Sequence, residues 1–198
     1  MKKLLATLLA VSTFCVIGGA ANPPAQGSEA DFSLIEYLET HEIDSYEEFI
    51  DVIKEVSPES VDEKDIDSRE VTSFSIDIDY DNEIVSVVTL GEATYDRSHG
   101  ASNSASKSYY ASNGLKIFTI NVEGTFSYSS TSCTTLSADG SYQRALLSTW
   151  SSTPALSSGN INTGKAYAKI SGTARSGSDS KYYSLTLTCD TSGNFTSY

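Results

Sequence analysis

In residues 29–56 the apolar positions recur at helical spacing. Phe32, Ile35 and Leu38 lie three apart, and Leu34 and Tyr37 widen the stripe. Tyr46, Phe49, Ile50, Ile53 and Val56 form a second stripe. Ahead of it, Ser45-Tyr46-Glu47-Glu48 has the spacing of a capping box, in which the serine hydroxyl accepts from a first-turn amide and the glutamate reaches back. Ser57-Pro58 ends this helix. Two helices this short need a surface to pack on. Residues 59–69 are charged and read as a connector.

The period then falls to two. Phe74, Ile76, Ile78 and Tyr80 alternate with polar residues, Asp81-Asn82 marks a turn, and residues 84–90 return as a Val-rich run, so residues 71–90 predict a β-hairpin. Residues 97–108 are Ser-, Ala-, Gly- and Asn-rich without apolar periodicity and read as a linker. Beyond it the pattern is all strand. Asn113-Gly114 predicts a tight hairpin turn between Tyr109-Tyr110 and residues 115–118. Phe118, Ile120, Val122, Phe126 and Tyr128 line one face, with Gly124 as a bulge. Asp139-Gly140 and Ser158-Gly159-Asn160 read as further turns, with residues 142–150 as a strand between them. Ala166, Ala168, Ile170, Gly172 and Ala174, and later Tyr183, Leu185, Leu187 and Cys189, form the inward positions of two last strands.

These elements predict a mainly β protein: a β-sandwich, in one version immunoglobulin-like, preceded by a short acidic helical segment. The organisation read from the chain is a signal peptide (1–21), an acidic helical segment (22–69), an acidic β-hairpin (70–96), a linker (97–108) and a β-sandwich domain (109–198).

Charge sharpens this division. Residues 29–96 carry a net −19 and residues 97–198 a net +4. The acidic run reads as a solvated face, with a detachable segment that docks on the basic half as the alternative. The whole chain is −13, which argues against nucleic acid as a partner, because phosphate contacts need Lys and Arg.

The first residues read as an export signal. Lys2 and Lys3 precede an uncharged apolar run over 4–17, and Gly18-Gly19-Ala20-Ala21 supplies small residues for cleavage between Ala21 and Asn22. The run is shorter than the roughly 20 residues of a spanning helix, so no stable membrane insertion is expected, and the product is expected to be secreted. Export permits a disulfide between Cys133 and Cys189, closing a loop of about 57 residues and contributing on the order of 4 kcal/mol. Two buried free thiols are the alternative.

Residues 105–198 resemble a group of small secreted proteins of Gram-positive, gut-type bacteria without a characterised activity. The resemblance is carried by 105–110 (ASKSYY), by 124–128 (GTFSY) ahead of Cys133, and by 185–190 (LTLTCD) before Gly193-Asn194. It implies a secreted β domain with a cysteine pair and transfers no catalytic residue. Cys133, Trp150 and Cys189 are also similar in spacing to an immunoglobulin-like core, although Leu187 stands where such domains place a tyrosine.

The chemistry of a hydrolase is not evident. His41 and His99 lie in the acidic segment and the linker, and no serine sits in a G-x-S-x-G elbow. Asp77, Asp79 and Asp81 invite a weak calcium site, but Asn82 and Val88 stand where a calcium loop needs Gly and Glu. Tyr109, Tyr167 and Tyr182 offer a tyrosine surface for an extracellular glycan or protein ligand. The reading that follows is a secreted, non-enzymatic binding module. The alternative is a precursor whose acidic segment (22–96) masks a C-terminal effector and is cut near Arg97 or Lys107.

Overall fold

A computed structural model describes residues 32–61, 71–97, 99–162 and 164–198. The Ala21/Asn22 junction lies outside them. The two helices form where their caps allow. In α1 (Leu34–Thr40) the Ser33 hydroxyl accepts from the Glu36 amide at 3.3 Å. In α2 (Tyr46–Val56) the Ser45 hydroxyl accepts from Glu48 N at 3.1 Å. The Glu48 carboxylate reaches back to the amide of Asp44, one residue before the cap. Phe49, Ile50 and Ile53 are buried from α2, each worth roughly 1.5–3 kcal/mol of burial. A 3-10 turn, Pro58–Ser60, follows.

The strands form two antiparallel sheets. The first contains β1 (Ser73–Asp79), β2 (Ile84–Leu90), β3 (Thr94–Tyr95), β4 (Gly100–Ala111), β5 (Lys116–Ser129) and β6 (Ser132–Arg144), in the order β1-β2-β4-β5-β6, with β3 paired to β4. The second contains β7 (Ala155–Asn162), β8 (Lys165–Ser176), β9 (Asp179–Asp190) and β10 (Phe195–Ser197), in the order β10-β9-β8-β7.

Alternation along the strands sorts the side chains into two cores. Val88, Leu90, Ala105, Tyr109, Phe118, Ile120, Val122 and Phe126 of the first sheet share one buried cluster with Ala166, Ala168, Ile170, Tyr183, Leu185 and Leu187 of the second. Tyr109 stacks on Phe118 at 4.3 Å, and Phe118 lies 6.5 Å from the Trp150 ring. The opposite parity of β1 and β2, together with Tyr110, meets the helices: Val85, Val87 and Tyr110 are buried with Leu34, Phe49, Ile50 and Ile53. Hydrogen bonds fasten this layer, from Leu34 N to Ser112 O at 2.6 Å and from Lys116 N to the Ser60 hydroxyl at 2.9 Å. Among the described residues no helix is long and apolar enough to cross a membrane.

Several expectations are corrected. The stretch 97–108 is not a linker: most of it is β4, hydrogen-bonded to β2 on one side and β5 on the other. The acidic hairpin is therefore part of the same sheet as the β half. Asp139-Gly140 and Ser158-Gly159-Asn160 lie within β6 and β7 and are not turns. Gly140 is small because Leu156 Cδ1 would sit 3.0 Å from a Cβ there. The strand expected over 142–150 stops at Arg144. The Gly124 bulge is shifted, the register breaking between Thr125 and Phe126.

The disulfide is also corrected. Cys133 and Cys189 are free, buried thiols 3.7 Å apart, beyond bonding distance. They face one another from the two sheets, within the shared core. Burial, and then the neighbouring Cys133, push the Cys189 thiol up to about 12.

Candidate functional site

The helices cover only the β1–β2 side of the outer face of the first sheet and the Tyr110 end of β4. The rest of that face is built from the other parity of three long strands. β4 contributes Ser102, Ser104, Ser106 and Ser108. Register places Thr125, Glu123, Asn121 and Thr119 of β5 opposite them, and Ser137, Asp139, Ser141 and Gln143 of β6 beyond. The result is four aligned rows of polar side chains.

Side-chain hydrogen bonds run along these rows, from strand to strand. Ser102 and Thr125 hydroxyls are 3.0 Å apart, and those of Ser108 and Thr119 are 2.9 Å apart. Ser106 donates to Asn121 Oδ1 at 2.6 Å, and Asn121 Nδ2 donates to Ser141 Oγ at 3.2 Å. Such cross-strand pairing fixes side-chain rotamers before any ligand arrives.

At the end nearer β3 this face becomes a groove of about 430 Å³. Its polar walls include Glu92, Thr94, Ser104, Glu123, Thr125 and Asp139. Glu123 and Asp139 are direct cross-strand neighbours. Like charges placed opposite each other are ordinarily unfavourable in a sheet. Among the described residues the lining includes Glu92, Glu123 and Asp139 but no Lys, Arg or His. The groove thus presents hydroxyls that can donate or accept and carboxylates that accept.

The residues singled out from the sequence do not converge on this groove. Tyr109 is only 2% exposed and belongs to the inter-sheet core, so it is not part of a binding surface. The reason is that the first sheet is covered on both faces at this point, Tyr110 packing edge-on to Phe49 at 5.3 Å. Tyr167 and Tyr182 point to the outer face of the second sheet, opposite Thr188 and Thr173 respectively. Tyr167 is half-buried and Tyr182 is 63% exposed.

Arg97 lies in the exposed turn between β3 and β4. Lys107 is in mid-strand, its ammonium 5.6 Å from the centre of the Tyr109 ring. Burial holds its pKa below the usual lysine range, Asp77 works against that shift, and Lys181 adds to it. His41 stacks on Tyr37 at 4.1 Å, and His99 meets Tyr128 edge-on at 6.0 Å.

Asp77, Asp79 and Asp81 do not form a calcium cage. The Asp79 carboxylate accepts from Asn82 N at 3.2 Å and Asn82 Nδ2 at 2.8 Å, and pairs with the Lys181 ammonium. Those partners, Lys181 first, lower its pKa to about 2. Among the described residues no cluster of three or more His, Cys, Asp or Glu side chains has the arrangement of a metal site.

What the sequence reading missed is the serine array. Its signal was present as the period-two run Ser102, Ser104, Ser106, Ser108, which has the alternation of a strand with its polar side outward. No protein-family model, curated protein or solved structure matches this chain.

Proposed function

We propose that this chain is a secreted, non-enzymatic binding module that takes a hydroxyl-rich ligand, a glycan, in the groove of the first sheet. The observation that carries the reading is the row-by-row alignment of Ser102–Thr125–Ser137 and Ser104–Glu123–Asp139, which offers adjacent donors and acceptors at strand spacing. Sugar hydroxyls are matched by such alternating hydroxyl and carboxylate partners, and the preformed bond between Ser102 and Thr125 reduces the ordering cost of binding. A secreted location fits the export signal read at 1–21.

The same reading takes the two sheets as an immunoglobulin-like sandwich. Its support is the single cluster shared by the inner faces, with the two cysteines facing across it and Trp150 against Phe118.

Glycan-array screening followed by titration calorimetry tests the ligand. Binding is expected to a glycan class, and Glu123→Gln and Ser104→Val are each expected to weaken it at least about tenfold, in line with a lost hydrogen bond to a charged or buried partner. Binding that both variants leave unchanged, or no binding across cell-wall and mucin glycans, overturns the reading.

A further inference from the structure

We infer that β7 is a self-association edge, and that two copies of this chain pair β7 to β7, antiparallel, about a two-fold axis. Among the described residues β8 is the one strand that pairs with β7, which ends the second sheet; β6 adds a side-chain bond from Thr135 to Gly159 O. Open edges are normally blunted by charge, proline, a short length or a cover. Ala155–Asn162 is eight residues long, contains no charged residue and no proline, and is exposed at every position except the half-buried Gly159. Leu156 and Ile161 are 45% and 51% exposed.

The backbone geometry indicates which groups are on offer. The Thr135 hydroxyl lies 3.2 Å from Gly159 O and 3.0 Å from Tyr167 O, so these two carbonyls converge between β7 and β8. Antiparallel alternation then turns the N–H and C=O groups of Leu156, Ser158 and Asn160 to the open side. A two-fold through Ser158 sets Ser158 opposite Ser158 of the second copy and Leu156 opposite Asn160, and joins two four-stranded sheets into one. Such a contact is isologous and closed.

A second copy is the occupant the charge pattern fits: β7 carries no charged residue, so pairing it with itself sets no like charges opposite each other. The chain is −13 overall, and the acid is concentrated over residues 29–96, whose described helices pack on β1 and β2. β7 lies over the other side of the first sheet: Thr135 of β6 bonds to Gly159 O, and Gly140 of β6 abuts Leu156. Pairing through β7 keeps the two acidic helix layers far apart, where salt screens their repulsion. The inference does not depend on what the groove binds.

Sedimentation equilibrium of the full chain over a wide concentration range tests it. A monomer–dimer equilibrium is expected, and Leu156→Lys and Asn160→Lys are each expected to weaken it by about tenfold or more, as charge on an edge strand should. Because either variant could misfold, Ser158→Cys supplies a second measurement. Paired residues at this register have Cα atoms about 5.5 Å apart, within disulfide range, so mild oxidation is expected to give a covalent dimer. A monomer at every concentration, a dimer indifferent to both lysines with no Ser158→Cys cross-link, or open-ended oligomers would each overturn the inference.

Discussion

The Lys181 ammonium on β9 is paired with the Asp79 carboxylate at the end of β1, which ties the second sheet to the edge strand of the first. Both side chains are partly buried, at 19% and 24% exposure. Asp79 has a folded pKa of about 2, against an ordinary 3.8. A carboxyl whose pKa is depressed on folding stabilises the protein above its unfolded pKa, and that stability is lost as pH falls through the folded pKa. The window here runs from about pH 4 down to about pH 2. After solvent screening the pair is worth about 1 kcal/mol. Lys181→Met is expected to remove that much stability at pH 7, to flatten the acid limb of the unfolding curve in that window, and to raise the Asp79 pKa in a carboxyl NMR titration. An unchanged titration would show that Asn82 alone holds the carboxylate.

The cysteine pair gives a chemical prediction. Cys133 and Cys189 are 1% and 0% exposed, and the Cys189 thiol is held up to about 12 by burial. Only thiolate is alkylated readily, so the folded protein is expected to resist iodoacetamide at pH 8. Unfolding in guanidinium without any reductant is expected to expose both thiols. Cys189→Ala should cost about 1–2 kcal/mol, as loss of one buried atom does, and not the roughly 4 kcal/mol of a long disulfide loop.

Two tyrosines in the same aromatic cluster are expected to behave oppositely. The Tyr142 hydroxyl is buried without a hydrogen-bond partner among the described residues, and burial and the nearby Tyr183 push its pKa up to about 12. The Tyr183 hydroxyl pairs with Ser152 Oγ at 2.7 Å. Removing an unsatisfied buried group is neutral or favourable, whereas breaking a pair strands its partner. Tyr142→Phe is therefore expected to leave the melting temperature unchanged or higher, and Tyr183→Phe to cost about 1 kcal/mol. Calorimetry of both variants decides the matter, and equal losses would show that Tyr142 has a partner.

The legible parts of the fold were those in which burial follows a single period. The α2 stripe, its Ser45 cap and the alternation of β1 all appear where the pattern puts them. β4 did not, because its inward positions include small residues such as Ala101 and Ala105 and its outer face carries half-buried or buried serines, so neither side carries a strong apolar signal. Asp139-Gly140 and Ser158-Gly159-Asn160 carry turn chemistry but sit in strands. Gly140 is packed beneath Leu156, and the second triplet lies on an edge where little is buried. The groove was illegible for a different reason. Its rows are made of same-parity residues from three strands, and only the folded register aligns Ser104 with Glu123 and Asp139.

That register also bears on processing. A precursor cut near Arg97 or Lys107 would have to lose β1 and β2 to release the β half. Yet β2 pairs with β4 from Ile84↔Ala111 to Leu90↔Ala105, and Val85 and Val87 are buried beneath the helices. Lys107 stands inside β4 with partners on both sides, Val88 and Ile120. Proteolysis of a strand interior requires opening of that strand, so cleavage follows the stability of the fold. Limited trypsin digestion of the folded protein is expected to spare Lys107 and to cut, if anywhere in this region, at the exposed Arg97. The fragments on either side of a cut at Arg97 are expected to co-elute in gel filtration under native conditions and to separate only in denaturant. Spontaneous release of an intact fragment beginning near residue 98 or 108 would falsify this expectation and return the acidic segment to the role of a detachable mask.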